Sequence, residues 1–467
     1  MLALTSLALA GCGGGGTESQ TNSAPTFTSA ASASVVENTA GTAYSVKATD
    51  AQGDSITYSI SGGADASAFT LSGNALAFAT PPNYDLPGDA NGDNVYEVVL
   101  TASDGKLSST LTLNLTVTND REGISVKRIA TGLDNPVGIT SLGSGSNLVV
   151  AESDGTLLKI VGSTGAQSQY YRFVDSVGNP ISLTVLGITR AAAYSNTEGT
   201  YVLEDESGIA YLVCVDCPIK GKQAVGSIDD TTPMAIGTGP DGSAYIGVGD
   251  TAGTRAQDTG SVAGSLFRVD AVADPYAGAS VTYYTLRQLA IGLRAPAGIT
   301  AFPDGNLAIS DRGASVLDEL SLTSALSNAL YYADSGVNFG WPYFEGTEEV
   351  NAGGAALANK ITPSLTVPLG SELRQSRGIV GGVAYTGAIA GIKNHYVFAD
   401  ADGRIWSIPL ANLSASTTLD ASALEVRDED FKPDVGTIDH PVGMALDANG
   451  TLYILDSDGE LYRVDAS

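Results

Sequence analysis

Basic residues are scarce in this chain: 23 Lys and Arg stand against 51 Asp and Glu, a formal charge of −28 over 467 residues. That balance repels phosphate backbones, which excludes nucleic acid as a partner, and it excludes electrostatic docking on an anionic membrane. Histidine is rarer still, with two copies, His395 and His440, so imidazole chemistry has few places to occur. Cysteine numbers three, and Cys214 with Cys217 cannot complete a tetrahedral zinc site alone. In an oxidising setting that pair reads as a small disulfide pinning one loop. Charged residues are only 16% of the chain while glycine numbers 56, which fits turn-rich β-structure rather than disorder. The acidity suits cation binding, or solubility in salty surroundings.

What the chain does have is a repeated phrase: a Pro-x-Gly turn, then an Asp-Gly or Asn-Gly turn, then an apolar strand. It occurs as Pro136-Val137-Gly138 with Asp154-Gly155, and as Pro296-Ala297-Gly298 with Asp304-Gly305. It returns as Pro441-Val442-Gly443 with Asn449-Gly450, and without the glycine at Pro233 with Asp241-Gly242. Looser copies run from Leu186-Gly187-Ile188 to Ser207-Gly208, and from Gly381-Gly382-Val383 to Asp402-Gly403. Asp-Gly and Asn-Gly supply the positive backbone angles of tight hairpins, so each copy predicts one small antiparallel sheet. Roughly six copies over about 340 residues predict a six-bladed β-propeller with a ligand pocket on its axis.

The N-terminus reads as a targeting segment. Leu4 to Ala10 is a short apolar run, and Leu9-Ala10-Gly11-Cys12 resembles the bacterial lipobox. The resemblance implies lipidation of Cys12 and an extracytoplasmic protein of the bacterial cell envelope, held to the membrane only through that anchor. The run itself is too short to span a bilayer. No Lys or Arg precedes Lys47, so the usual basic flank is missing. Residues 1–22, with the glycines from Gly13 to Gly16, are set aside as signal and flexible tether.

Residues 23–120 have another texture, rich in Ser, Thr and Ala, with strands alternating apolar and polar. Leu111, Leu113, Leu115 and Val117 alternate with polar positions beyond Asp104-Gly105, which predicts paired strands of a β-sandwich. Alternating Asp and Asn oxygens on loops are what Ca²⁺ needs. The segments Val36-Glu37-Asn38, Ala48-Thr49-Asp50, Asn83-Tyr84-Asp85, Asp93-Asn94-Val95-Tyr96-Glu97-Val98 and Ala102-Ser103-Asp104-Gly105 together resemble a bacterial cadherin-like domain. That resemblance implies calcium at one end of the sandwich, with Glu37, Asp85 and Asp104 as shared ligands and Asn119 and Asp120 at the domain exit.

Residues 121–467 carry motifs more specific than propeller turns. They include Gly247-Val248-Gly249-Asp250 with Ala256-Gln257-Asp258, Gly264-Ser265-Leu266-Phe267-Arg268-Val269-Asp270, and Gly292-Leu293-Arg294-Ala295-Pro296. Asp311-Arg312-Gly313 with Asp318-Glu319-Leu320, Asn338-Phe339-Gly340-Trp341-Pro342, and Tyr396-Val397-Phe398-Ala399-Asp400 follow. In order and spacing these resemble the glucose/sorbosone dehydrogenase family, six-bladed propellers that oxidise aldoses with pyrroloquinoline quinone (PQQ). The resemblance implies an arginine on the cofactor at Arg294, calcium on the carbonyls of Gly313 and Ala314, and further positive charge from Arg374 and Arg377. It also implies a structural cation near Gly249-Asp250 and Gln257-Asp258. The stretch Val185 to Ala192 matches a family segment of the form Leu-Leu-Gly-Ile-Ala-Phe-His-Pro, with Ala191 in the histidine's place, so no catalytic base is assigned. Ala295 and Val316-Leu317 are further departures, Asp230 and Glu204 remain as substitute bases, and His395 and His440 read as turn residues. Two functions therefore stand side by side. One is a PQQ-dependent sugar dehydrogenase; the other is a non-catalytic propeller that binds a glycan or a protein.

Overall fold

The computed structural model describes residues 21–192, 198–217, 222–229, 232–273, 282–323, 336–354, 357 and 359–467. Cys12 and Asp230 lie outside the described residues. The chain divides into two units, Met1–Asn119 and Asp120–Ser467. No α-helix occurs among the described residues.

The first unit pairs two sheets. One carries Ser32–Val36, Ser108–Thr118, Val95–Ser103 and Thr57–Gly62 in that order, and the other carries Thr42–Ser45, Ala75–Phe78 and Phe69–Ser72. Leu113, Leu115 and Val117 point into one apolar cluster with Val98, Leu100, Phe69 and Leu76, so both sheets bury the same core. The alternation of apolar and polar residues along Ser108–Thr118 is what places those side chains on one face.

The second unit is a ring of six small sheets, the all-β propeller that the repeats predict. Its innermost strands are Pro136–Ser141, Thr184–Ala192, Met234–Thr238, Pro296–Ala301, Ile379–Tyr385 and Pro441–Leu446. Each touches the next around the ring, and the last touches the first. We number the blades one to six in that order. Blade six takes its outermost strand, Ile124–Ala130, from the start of the unit, where it pairs antiparallel with Leu461–Ala466. One sheet thus uses both chain ends and closes the circle.

The Pro-x-Gly phrase, read from the sequence as a turn, is instead a bulge at the start of an inner strand. In five inner strands the register slips by one residue, at Pro136/Gly138, Val185/Gly187, Pro296/Gly298, Ile379/Gly381 and Pro441/Gly443. These are β-bulges, and a bulge re-aims one side chain. The extra residues Val137, Leu186, Ala297, Val380 and Val442 all line the axial cavity. Blade three, whose copy lacks the glycine, pairs Met234–Thr238 without a slip. The glycine also admits the neighbouring blade: a Cβ on Gly138 would lie 3.1 Å from Ile188 Cγ2, and one on Gly187 would lie 3.0 Å from Ile236 Cγ2. At Gly237 the approach is closer, because a Cβ would meet the Ile299 carbonyl oxygen at 2.1 Å.

Candidate functional site

The six inner strands begin around a cavity of about 660 Å³ on the axis, within the size range of small-molecule sites. Its wall is largely backbone and aliphatic side chain. Among the described residues its charged and titratable lining is Arg312 and His440, with Ser457 and Thr300 as further polar groups.

A set of carboxylates builds the rim. The residue paired with the first position of each bulge is acidic in five blades: Glu152, Glu204, Asp311, Asp400 and Asp456. Four of them bind the loop that enters the inner strand. Glu152 Oε1 accepts from Asp134 N at 2.7 Å, and Asp311 accepts from Arg294 N at 2.9 Å and Ala295 N at 2.6 Å. Asp400 accepts from Arg377 N at 3.1 Å, and Asp456 accepts from Asp439 N and His440 N at 3.0 Å each. These side chains are buried, and burial pushes Asp311 up to about 7 and also raises Glu152 and Asp400. Glu204 differs: its Oε1 lies 2.6 Å from Lys222 Nζ, and it caps no entering loop.

The residue after the acid faces the cavity in three blades, as Arg312, Ala401 and Ser457. Arg312 is fixed by donation from Nε to the Ile379 carbonyl at 2.7 Å, and burial lowers its pKa. Sequence reading passed over Arg312 as part of a motif. Aligning the repeats on their rim acids would have singled it out, since the same position is Ala401 in blade five.

Arg294 stands behind that wall. Its Nη1 donates to the carbonyls of Arg312 at 2.9 Å and Gly313 at 2.7 Å, and its guanidinium lies 5.4 Å from the Trp341 ring centre. Glu345 threads the following loop and accepts from the backbone N–H of Ala314 at 3.0 Å, Ser315 at 3.1 Å and Val316 at 2.7 Å. The Gly313 carbonyl is therefore committed to a fixed cation. A divalent ion on that oxygen would sit beside the guanidinium, so the Gly313 carbonyl as arranged does not fit calcium.

The other expected residues fall elsewhere. Arg374 Nε donates to the Leu424 carbonyl at 2.9 Å, beside the outermost strand of blade five, and Arg377 Nε lies 3.6 Å from Asp402. Neither lines the cavity. Ala191 is 2% exposed and packs with Tyr201, Leu203 and Phe267 between blades. It lies toward the far end of its strand from the cavity mouth, so the missing histidine there leaves the cavity's own base undecided. His440, read as a turn residue, lines the cavity instead. His395 places Nε2 3.3 Å from Glu425 Oε2. The Asp250 loop is tied by its own hydrogen bonds: Oδ2 accepts from Arg255 N at 2.6 Å, and Gln257 Nε2 donates to the Trp341 carbonyl at 2.6 Å. Cys214 and Cys217 are joined in a disulfide.

In the first unit, Glu37 and Asp85 are both buried and bring carboxylate oxygens within 4.8 Å of each other. Asp104 is not with them. It sits on the hairpin turn joining Val95–Ser103 to Ser108–Thr118, whereas Glu37 follows Val36, which pairs with Thr118. That puts the two ends about 33 Å apart along the strands. Asp104 accepts instead from Lys106 N and Leu107 N at 2.7 Å each, and those bonds hold its pKa below the usual carboxylate range. Asn119 ends the first unit. Asp120 begins the second, where its Oδ1 accepts from Glu122 N at 2.7 Å.

Two solved glucose dehydrogenases superpose on the chain with a TM-score of 0.51 each. They are 18% and 19% identical, cover 73% of this chain, and are themselves covered to 100% and 99%. The fold is that of the glucose dehydrogenase propellers. The PQQ-bound aldose sugar dehydrogenase of Streptomyces coelicolor aligns at a TM-score of 0.49 and 21% identity, over 73% of this chain and 98% of that one. A curated relative, Halomucin of Haloquadratum walsbyi, is 40% identical over 76 residues, which is 15% of this chain and 1% of Halomucin. No family profile matches the sequence.

Proposed function

We propose that the chain is an envelope-anchored, sugar-dehydrogenase-like protein whose upper axial cavity binds PQQ and an aldose. The observation that carries this reading is Arg312, a fixed cation in the wall of a cavity of about 660 Å³. PQQ is flat and carries three carboxylates, and a guanidinium offers such a group paired, planar donors. PQQ, when bound, supplies the acceptor for a hydride from the sugar's anomeric carbon. His440 is the cavity's titratable group. Its Nδ1 lies 3.2 Å from Asp439 Oδ1, so a proton on Nδ1 leaves Nε2 to take the sugar's hydroxyl proton. Dye reduction by the protein loaded with PQQ, with D-glucose as donor, tests the activity. A rate equal to that of free PQQ contradicts it.

A non-catalytic propeller that binds a glycan or a protein is the second reading. The largely backbone and aliphatic cavity wall favours it, because few side chains are placed to move protons. In the first unit we propose calcium at Glu37 and Asp85, whose buried carboxylates lie within 4.8 Å of each other and offer the oxygen donors that calcium takes. Cys12 is the proposed lipid attachment, resting on the sequence alone.

A further inference from the structure

The inner strands end around a second cavity, of about 400 Å³, at the opposite mouth of the axis. Ile139, Ile188, Ile236, Ile299 and Met444 border both cavities and form an apolar collar between them. Beyond the collar the wall has two characters. Blades one to three present Thr140, Ser141, Thr189 and Thr238, while blades four to six present Ala301, Val383, Ala384, Ala445 and Leu446.

The polar half is tightly organised. The Thr189 and Thr238 hydroxyls lie 2.9 Å apart, and Thr238 donates to the Arg190 carbonyl at 2.6 Å, so Thr189 is the donor of that pair. Arg190 stands at the rim with Nε on Glu198 at 3.1 Å and Nη1 on Thr200 at 3.1 Å and Asp216 at 3.0 Å. Its Nη2 has no partner among the described residues. Asp216, held between the bridged Cys214 and Cys217, also accepts from Thr200 N at 2.5 Å and from the Tyr170 hydroxyl at 2.7 Å. Gly143 completes the seat. A Cβ there would meet Glu198 Oε2 at 2.7 Å and Arg190 Nε at 3.4 Å.

We infer that this lower mouth is a binding site for a neutral pyranose, separate from the upper cavity. A pyranose has a hydroxyl edge and an apolar C–H face, which match the threonine half and the aliphatic half of the wall. The threonine oxygens keep lone pairs for sugar hydroxyls, and Arg190 brings guanidinium N–H donors to the same wall. Glu198 and Asp216 outweigh Arg190 in charge at the rim, so the site selects against anionic sugars.

Calorimetric titration of D-glucose and of maltose into the full-length protein tests the inference, with Arg190→Gln, Thr238→Val and Arg312→Ala as variants. Binding should weaken about tenfold in Arg190→Gln and in Thr238→Val, and persist in Arg312→Ala, which alters only the upper cavity. Should Arg190→Gln fail to fold, Thr238→Val carries the test. Absence of saturable binding for both sugars overturns the inference. So does unchanged binding in Thr238→Val, or loss confined to Arg312→Ala.

Discussion

Arg294 Nη1 lies 2.7 Å from the Gly313 carbonyl oxygen. The sequence resemblance gives these residues two separate duties, a cofactor contact and a calcium ligand. The structure joins them to each other, and the same nitrogen also holds the Arg312 carbonyl. Arg294 thus acts on the cavity by fixing the backbone just after the Arg312 side chain.

Its removal should therefore be felt as lost stability. Arg294→Met deletes charge-assisted bonds to two carbonyls and the contact with Trp341, with an expected cost of about 1–3 kcal/mol. Urea unfolding of the protein without ligands reads this. An unchanged midpoint would mean that Arg294 is held in reserve for a ligand.

The inter-blade glycines should rank by what their missing Cβ would strike. Gly237→Ala meets a backbone carbonyl at 2.1 Å, Gly138→Ala meets the movable end of Ile188 at 3.1 Å, and Gly443→Ala meets Ile139 at 3.4 Å. Overpacking that cannot relax costs about 1–3 kcal/mol, so the melting temperature should fall most for Gly237→Ala and least for Gly443→Ala. Equal losses at all three positions would contradict the packing described.

Stability should decline as pH rises from about 4 to 7. Asp311 has its pKa raised to about 7 by burial, so over that window it is protonated when folded and ionised when unfolded. The folded state then binds more protons, and stability falls with rising pH until the folded pKa is passed. Burial shifts Glu152, Glu204 and Asp400 the same way. Glu425 is opposite: burial pushes it up, but His395, Arg427 and Ser407 outweigh that and hold it at about 2. Its contribution is lost only as pH falls below about 4. The urea midpoint should be higher at pH 5 than at pH 7.5, with a smaller difference in Asp311→Asn. A midpoint that climbs with pH across this range would refute the burial argument.

Calcium affinity of the first unit should separate two acids that the sequence groups together. Asp85→Asn should abolish calcium binding at the proposed site, and Asp104→Asn should leave it unchanged, because Asp104 sits at the other end of the sheet. Fluorescence or calorimetric titration with calcium distinguishes them. Equal loss in both variants would restore the grouping.

The turns and the blades were legible because their signal is local: Asp-Gly forces a hairpin. The bulges were not, since Pro-x-Gly reads as a turn and only pairing with the next strand makes it a bulge. Nor were the rim acids. Asp311 at the end of an apolar strand looks like any turn residue, and the N–H groups it accepts from belong to Arg294 and Ala295, far back in sequence. Asp104 and Glu37 failed differently. Both stand at strand ends, and only the pairing of Val36 with Thr118 reveals which end each occupies. Ala191 was assigned to the site by motif position, yet its side chain points between blades, where composition gives no warning.

The central claim is that Arg312 makes the upper cavity a PQQ site without calcium on the Gly313 carbonyl. Calorimetric titration of PQQ into the wild-type protein and Arg312→Ala, each with calcium and with chelator, addresses it directly. The account predicts saturable binding in the wild type under both conditions and about tenfold or greater weakening in Arg312→Ala. No binding to the wild type, or equal binding to Arg312→Ala, would contradict it.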